Sequence, residues 1–146
     1  MAFSRPVIAI GALVLAAAVP ALANPFERVR PVTHEPTRKE CGECHMAFQP
    51  GLLPAGSWTR IMDGLNDHFG ESAALAPDAA ADIRAYLTGN AAVQGDGGLL
   101  RITEQPWWAR KHRRLRPDAW TCPGVVSKAN CEACHRDAAQ GLYEDD

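Results

Sequence analysis

Cys41-Gly42-Glu43-Cys44-His45 and Cys131-Glu132-Ala133-Cys134-His135 are two copies of one pattern, C-x-x-C-H, and they use four of the chain's five cysteines. This is the attachment signature of c-type haem. Two thiols three residues apart on a helical turn reach the two vinyl groups of one porphyrin. The adjacent histidine then turns a ring nitrogen onto the iron as proximal ligand. Two motifs therefore predict two covalently bound haem c groups, one iron held by His45 beside Cys41 and Cys44, the other by His135 beside Cys131 and Cys134. A zinc site would bring its second C-x-x-C within a couple of dozen residues, whereas Cys44 and Cys131 are 87 positions apart. Disulfides would leave unexplained the histidine that follows each pair, and a thioredoxin-like motif would need a βαβ context that is absent.

The first 23 residues carry one charge, Arg5, before an apolar run from Val7 to Val19, and they end in Ala21-Leu22-Ala23. They read as a secretory signal peptide, cleaved after Ala23, rather than as a retained anchor, because Pro20 and the A-x-A-like site interrupt the run. The mature chain would then start at Asn24, be periplasmic and have no transmembrane span. Loss of Arg5 leaves fourteen Lys and Arg against seventeen Asp and Glu, a formal charge of −3. A nucleic-acid partner is incompatible with an exported chain of that charge.

Between the motifs, Gly89-Asn90-Ala91-Ala92-Val93-Gln94-Gly95-Asp96-Gly97-Gly98 has four glycines in ten residues and reads as a linker. It divides the chain into an N-terminal haem c unit, 24–90, a linker, 91–98, and a C-terminal haem c unit, 99–146. Units of that size are marginal by themselves, and a covalent haem would supply the missing apolar core. Thr37 to Glu40 has the form of a capping box, predicting a helix that carries Cys41 to His45 in its first turns. Ser57 is the expected cap of a second helix with Trp58, Ile61, Met62, Leu65, His68 and Phe69 on one stripe. A third helix follows Pro77, places Ala80, Ile83 and Leu87 on one face and stops near Gly89. Thr103 or Gln105 precedes a fourth, with Pro106 in its first turn and Trp108, His112 and Leu115 aligned up to Pro117. Ser127 is the expected cap of a last helix that contains Cys131 to His135 and closes near Gly141. No strand is expected. The fold class is mostly α with substantial coil: two small haem-centred helical units, the first loosely like a class I cytochrome c.

The sixth iron positions are open or filled by His or Met. Met46 adjoins His45 and cannot cross to the far face of the same haem, and Met62 stands among core residues. Of the remaining histidines, His68 and His112 each lie on an apolar stripe in the same unit as one motif. They are assigned to the first and second haem respectively, with a crossed pairing, or His34, as the alternatives.

The stretches Glu40-Cys41-Gly42-Glu43-Cys44-His45-Met46-Ala47, Leu53-Pro54-Ala55 with Ser57-Trp58, His68-Phe69-Gly70, Arg101-Ile102-Thr103, Trp107-Trp108 with Lys111-His112, and Ala129-Asn130 followed by Cys131 to His135 also carry a family likeness. Over about 40–143 the chain resembles the small periplasmic dihaem cytochromes c known as DHC. The resemblance implies bis-histidine ligation through His45, His68, His112 and His135. It also implies electron transfer, and partnership with a membrane b-type cytochrome or a small oxygen-binding monohaem cytochrome c. Cys122 and the acidic end Glu144-Asp145-Asp146 lie outside the family motifs; Cys122 reads as a buried thiol or an intermolecular disulfide partner.

Two six-coordinate haems would leave no iron position for a substrate, so the expected role is that of a low-potential electron relay and not an enzyme. A haem with an open iron, binding a gas, is the rival reading. The cluster Arg110, Lys111, Arg113, Arg114 and Arg116 around His112 is either a solvated face that neutralises haem propionates or a docking site for an acidic redox partner. Protein made in a host with a haem c maturation system should have the mass of the chain from Asn24 plus two haems; one haem or none would overturn the reading of the motifs.

Overall fold

The computed structural model describes residues 27–144, so the expected signal peptide lies outside the described residues. Four α-helices are joined by coil and short 3₁₀ turns: α1 Glu35–Cys41, α2 Ala55–Asp63, α3 Pro77–Gly89 and α4 Pro106–His112. Among the described residues β-structure is limited to three isolated bridges, Arg28 with Leu142, Pro54 with Ala92 and His68 with Glu71. The expected class, mostly α with much coil, is the observed one.

Prolines set three of the four helix starts. Pro36, Pro77 and Pro106 stand in the first turns of α1, α3 and α4, where a missing N–H costs nothing. α1 corrects the expected register. Its N-cap is His34, and Thr37 lies inside the helix, buried, with its hydroxyl 2.9 Å from His34 Nδ1. The helix ends where the first motif begins, so Cys41 is its last residue. Gly42 takes over in a turn so tight that a Cβ there would press into the Arg38 carbonyl oxygen.

α2 begins after Pro54, not after a serine cap. Ser57 is buried in the first turn and donates its hydroxyl to the Leu99 carbonyl at 2.6 Å, a tertiary use that overrides its local preference. The helix stops at Gly64, whose N–H reaches back to the Arg60 and Ile61 carbonyls, before the expected stripe is complete. Trp58, Ile61 and Met62 are buried, while Phe69 is 43% exposed. α3 matches its expectation, with Ile83 and Leu87 fully buried against α2. Leu53, Trp58, Ile61, Met62, Ile83 and Leu87 form the first core. Leu52, Trp107 and Trp108 form a smaller second one, and Phe48 and Ile102 pack against both.

The glycine-rich stretch read as a linker lies along the start of α2. Ala92 N–H donates to the Leu53 carbonyl at 2.9 Å, and Arg60 donates to the Gly98 carbonyl at 2.7 Å. Gln105, buried at the cap of α4, bonds both the N–H and the carbonyl of Asp96 at 3.0 Å. α4 ends at His112, earlier than expected, and Leu115 lies outside it. Pro117 holds Arg116 extended at ψ 148°, which forbids continuation.

The expected last helix is absent. Cys131–Ala133 and Ala138–Gln140 are single 3₁₀ turns, and the Ser127 hydroxyl accepts from Ala129 N–H at 3.2 Å in a local turn. So short a segment gains little from helix formation by itself and is held by tertiary bonds instead. Val29 N–H donates to the Gly141 carbonyl and Tyr143 N–H to the Glu27 carbonyl, both at 2.8 Å, which pairs the two ends of the described chain. Gly141 has φ +80°, and a Cβ there would collide with the Val29 carbonyl oxygen. Gly141→Ala should therefore lower stability by more than about 1 kcal/mol in denaturant unfolding of the haem-loaded protein, whereas Gly89→Ala, which meets open space at the end of α3, should be neutral or stabilising by up to about 1 kcal/mol.

Candidate haem sites

The first C-x-x-C-H leaves α1 with Cys41 half-buried and Cys44 exposed. Burial, and next the neighbouring Glu40 carboxylate, push the Cys41 thiol above its usual pKa. His45 Nδ1 lies 2.7 Å from the Met46 carbonyl oxygen. A carbonyl only accepts, so Nδ1 carries the proton and Nε2 is left with its lone pair, the tautomer that a metal-binding imidazole needs. Phe48 stacks on the His45 ring at 4.8 Å.

Facing His45 is His68, with ring centres 6.2 Å apart and planes 27° from parallel. The sequence placed His68 on a helical stripe. The structure places it on a turn after the 3₁₀ segment Leu65–Asp67, where its N–H donates to the Glu71 carbonyl at 2.6 Å. Asp67 Oδ1 accepts from Gly70 N–H at 3.0 Å and closes the turn. Phe69 is left-handed at φ 60°, a conformation that costs a non-glycine residue about 1 kcal/mol or more. Its ring meets His68 edge-on at 4.8 Å and lies 4.1 Å beneath the Arg101 guanidinium. Burial, then His45, then Arg101 lower the His68 pKa, which keeps the imidazole in the neutral, ligating form.

At the second motif, His135 faces His112, again with ring centres 6.2 Å apart but with planes at 87°. His112 Nδ1 lies 2.9 Å from the Trp108 carbonyl oxygen, the same arrangement that leaves Nε2 for a metal. Trp108 stacks on the His112 ring at 4.0 Å and Trp120 stands at 5.9 Å. Tyr143 meets the His135 ring at 5.6 Å and donates its hydroxyl to Gln49 Oε1 at 2.5 Å. Gln49 is itself fully buried and donates to the Ala138 carbonyl at 2.7 Å. Cys131 is half-buried and Cys134 exposed; burial is the largest cause that pushes the Cys131 thiol up to about 11.

The other candidates are engaged elsewhere. His34 Nδ1 is bonded to Thr37, its Nε2 lies 3.2 Å from Asp82 Oδ2, and its ring stacks on Tyr86 at 4.7 Å. Met62 is buried in the first core. Cys122 is exposed, which corrects its expected burial. Phe48, Gln49, Trp120 and Tyr143 were not legible as site residues. Phe48 is three positions after a motif, and the others bear no spacing relation to the histidines they support.

The donor set suits haem iron. A first-row metal binds an imidazole nitrogen at about 2.0 Å, so two imidazoles on opposite sides of one iron have ring centres roughly 6 Å apart. Each motif has such a partner ring, a protonated Nδ1 on at least one of its two histidines, and an aromatic wall.

Two thiol pairs, each followed by its histidine and set in a largely helical chain, define a c-type cytochrome with two haems. Residues 37–143 match the family model described as dihaem cytochrome c, and the chain belongs to that family. It is similar to DHC purified from Rhodobacter sphaeroides, whose crystal structure gives a TM-score of 0.71 at 45% identity and covers 77% of this chain and 98% of that one. A diheme cytochrome c from Rhodobacter sphaeroides gives 0.71 at 42% identity, over 78% of this chain and 99% of that one. The diheme cytochrome c sb-DHC from Shewanella baltica OS155 gives 0.68 at 38% identity, over 75% and 86%. None of the curated proteins matches. Membership implies two covalently bound haem c groups and electron transfer; cytochromes c are in general exported, and carriers rather than enzymes. Among the described residues no helix is long and apolar enough to cross a membrane.

Met62→Leu should leave both haems attached and the visible spectra unchanged, at a cost below about 1.5 kcal/mol, as expected for a packing residue; a changed iron spectrum would show that Met62 reaches an iron.

Proposed function

We propose that this protein is a periplasmic, low-potential carrier of single electrons in which His45 and His68 hold the first haem iron and His112 and His135 the second. The observation that carries the proposal is the pair of facing imidazoles at each motif, both with ring centres 6.2 Å apart. Bound there, haem iron would take up and release one electron between its ferric and ferrous states.

The remaining work is done by the chain. With His45 and His68, and His112 and His135, holding the irons, no iron position would be left for a substrate, and the potential would lie below that of Met/His ligation. The carbonyls of Met46 and Trp108 fix the His45 and His112 rings through Nδ1, so little rearrangement accompanies a change of charge. Phe48, Trp108, Trp120 and Tyr143 line the ligand rings with aromatic surface. The family resemblance supports a membrane b-type cytochrome, a small oxygen-binding monohaem cytochrome c, or both as partners. The apolar segment ending at Ala23 supports export with cleavage there.

The oxidised protein should be wholly low-spin, and the reduced protein should not bind carbon monoxide readily; rapid, stoichiometric binding would favour an open iron instead. Ring planes at 27° and 87° lead to a further expectation. Near-parallel imidazoles split the iron π orbitals, whereas crossed ones leave them nearly degenerate. Electron paramagnetic resonance should therefore show one ordinary rhombic low-spin signal and one highly anisotropic signal in equal amounts, and two identical signals would contradict the geometry.

His68→Met should raise the potential of the haem on Cys41 and Cys44, and His112→Met that of the haem on Cys131 and Cys134, with both haems still attached. Coupling between the two titrations would make the sparing of the other haem incomplete. If His34→Met changed ligation while these two did not, the assignment of sixth ligands would be wrong.

A further inference from the structure

The two sites stand in different electric environments. Asp67 and Glu71 flank His68, and the Arg101 guanidinium lies over the adjacent Phe69 ring at 4.1 Å, so charges of both signs meet there. From Pro106 to Pro117 it has five Lys and Arg and no acid, and Lys111 and Arg113 flank His112.

Folding neutralises only part of the basic run. Lys111 pairs with Glu27 at 2.7 Å and Arg116 with Asp118 at 3.1 Å. Arg110, Arg113 and Arg114 are exposed and make no ion pair among the described residues. The fold adds a sixth cation that sequence order does not place there: Lys128 Nζ lies 5.5 Å from the Trp120 ring, which is itself 5.9 Å from the His112 ring. Within this charged surface Leu115 is 46% exposed. An exposed apolar residue in a basic segment, three of whose cations are unpaired, suits a transient protein interface, in which charge steers the encounter and a small apolar contact ends it.

We propose that the Arg110–Arg116 segment, together with Lys128, is the docking face through which an acidic redox protein reaches the haem on Cys131 and Cys134. The proposal rests on the electron-carrier reading, and its test separates the two.

The haem-loaded protein is mixed in stopped flow with reduced plant-type [2Fe–2S] ferredoxin, an acidic low-potential donor, over a series of ionic strengths. One electron leaves the cluster and one ferric haem becomes ferrous; no bond is made or broken. At low ionic strength the triple variant Arg110→Gln, Arg113→Gln, Arg114→Gln should react about tenfold more slowly than the parent, with a flatter salt dependence, and the two should converge at high salt. Oxidation of the reduced variant by a basic mitochondrial-type cytochrome c should be unchanged or faster, and its haem spectra should equal those of the parent. An unchanged ferredoxin rate and salt slope would overturn the proposal. So would parallel changes in haem spectrum, potential and both rates, since the arginines would then be counter-ions to the haem propionates. High-spin iron or carbon monoxide binding in the parent alone would count against bis-histidine ligation and leave the salt test of docking intact.

Discussion

Two imidazole rings with centres 6.2 Å apart, the spacing of two ligands on opposite sides of one iron, occur at each motif, and the elements of the chain converge on them. Among the described residues the apolar core is split into two small clusters, and Phe48 and Ile102 pack against both. α1 stops at Cys41 and α4 at His112, so each reaches a haem site with its last residue.

A chain with so much coil must satisfy many backbone groups without helix or sheet ladders, and buried polar side chains do much of this. Gln49, Ser57 and Gln105 are fully buried, and each bonds backbone of a distant non-helical segment. Gln49 has the longest reach. Its amide joins the segment after the first motif to Ala138 and Tyr143, beside the second. An apolar residue of similar size would fill the space but leave the Ala138 carbonyl and the Tyr143 hydroxyl without those bonds, at a penalty of about 1–3 kcal/mol for each group left buried and unsatisfied. The fixed position of the His135 ring thus depends on a glutamine that precedes it by more than half the chain.

Charge is unevenly distributed between the two sites. Basic residues collect around His112, so a chain of small net charge carries a strongly charged patch beside one of its two sites. Net charge conceals this, and only the local field governs an encounter within the screening length of about 8 Å at physiological salt.

The sequence by itself determined the cofactor and its number, and it predicts the attachment points and proximal ligands, because covalent chemistry requires thiols and a histidine at one fixed local spacing. It also determined α3 and the start of α4, where a proline and apolar residues at helical period act within a few positions of one another. Periodicity misplaced His68, because Gly64 ends α2 and a turn closed by Asp67 and Glu71 then aims the ring. It likewise misplaced Thr37, whose hydroxyl meets the His34 ring, and Ser57, whose hydroxyl serves a tertiary partner in place of a helix cap, and it expected a helix at the second motif where two 3₁₀ turns stand, the latter held by bonds from Val29 and Gln49. Which rings face each other, how their planes are turned, and that Cys122 is exposed were decided by tertiary structure alone. Those features arise from contacts between residues as far apart as Gln49 and Ala138, and a local spacing pattern carries no information about them.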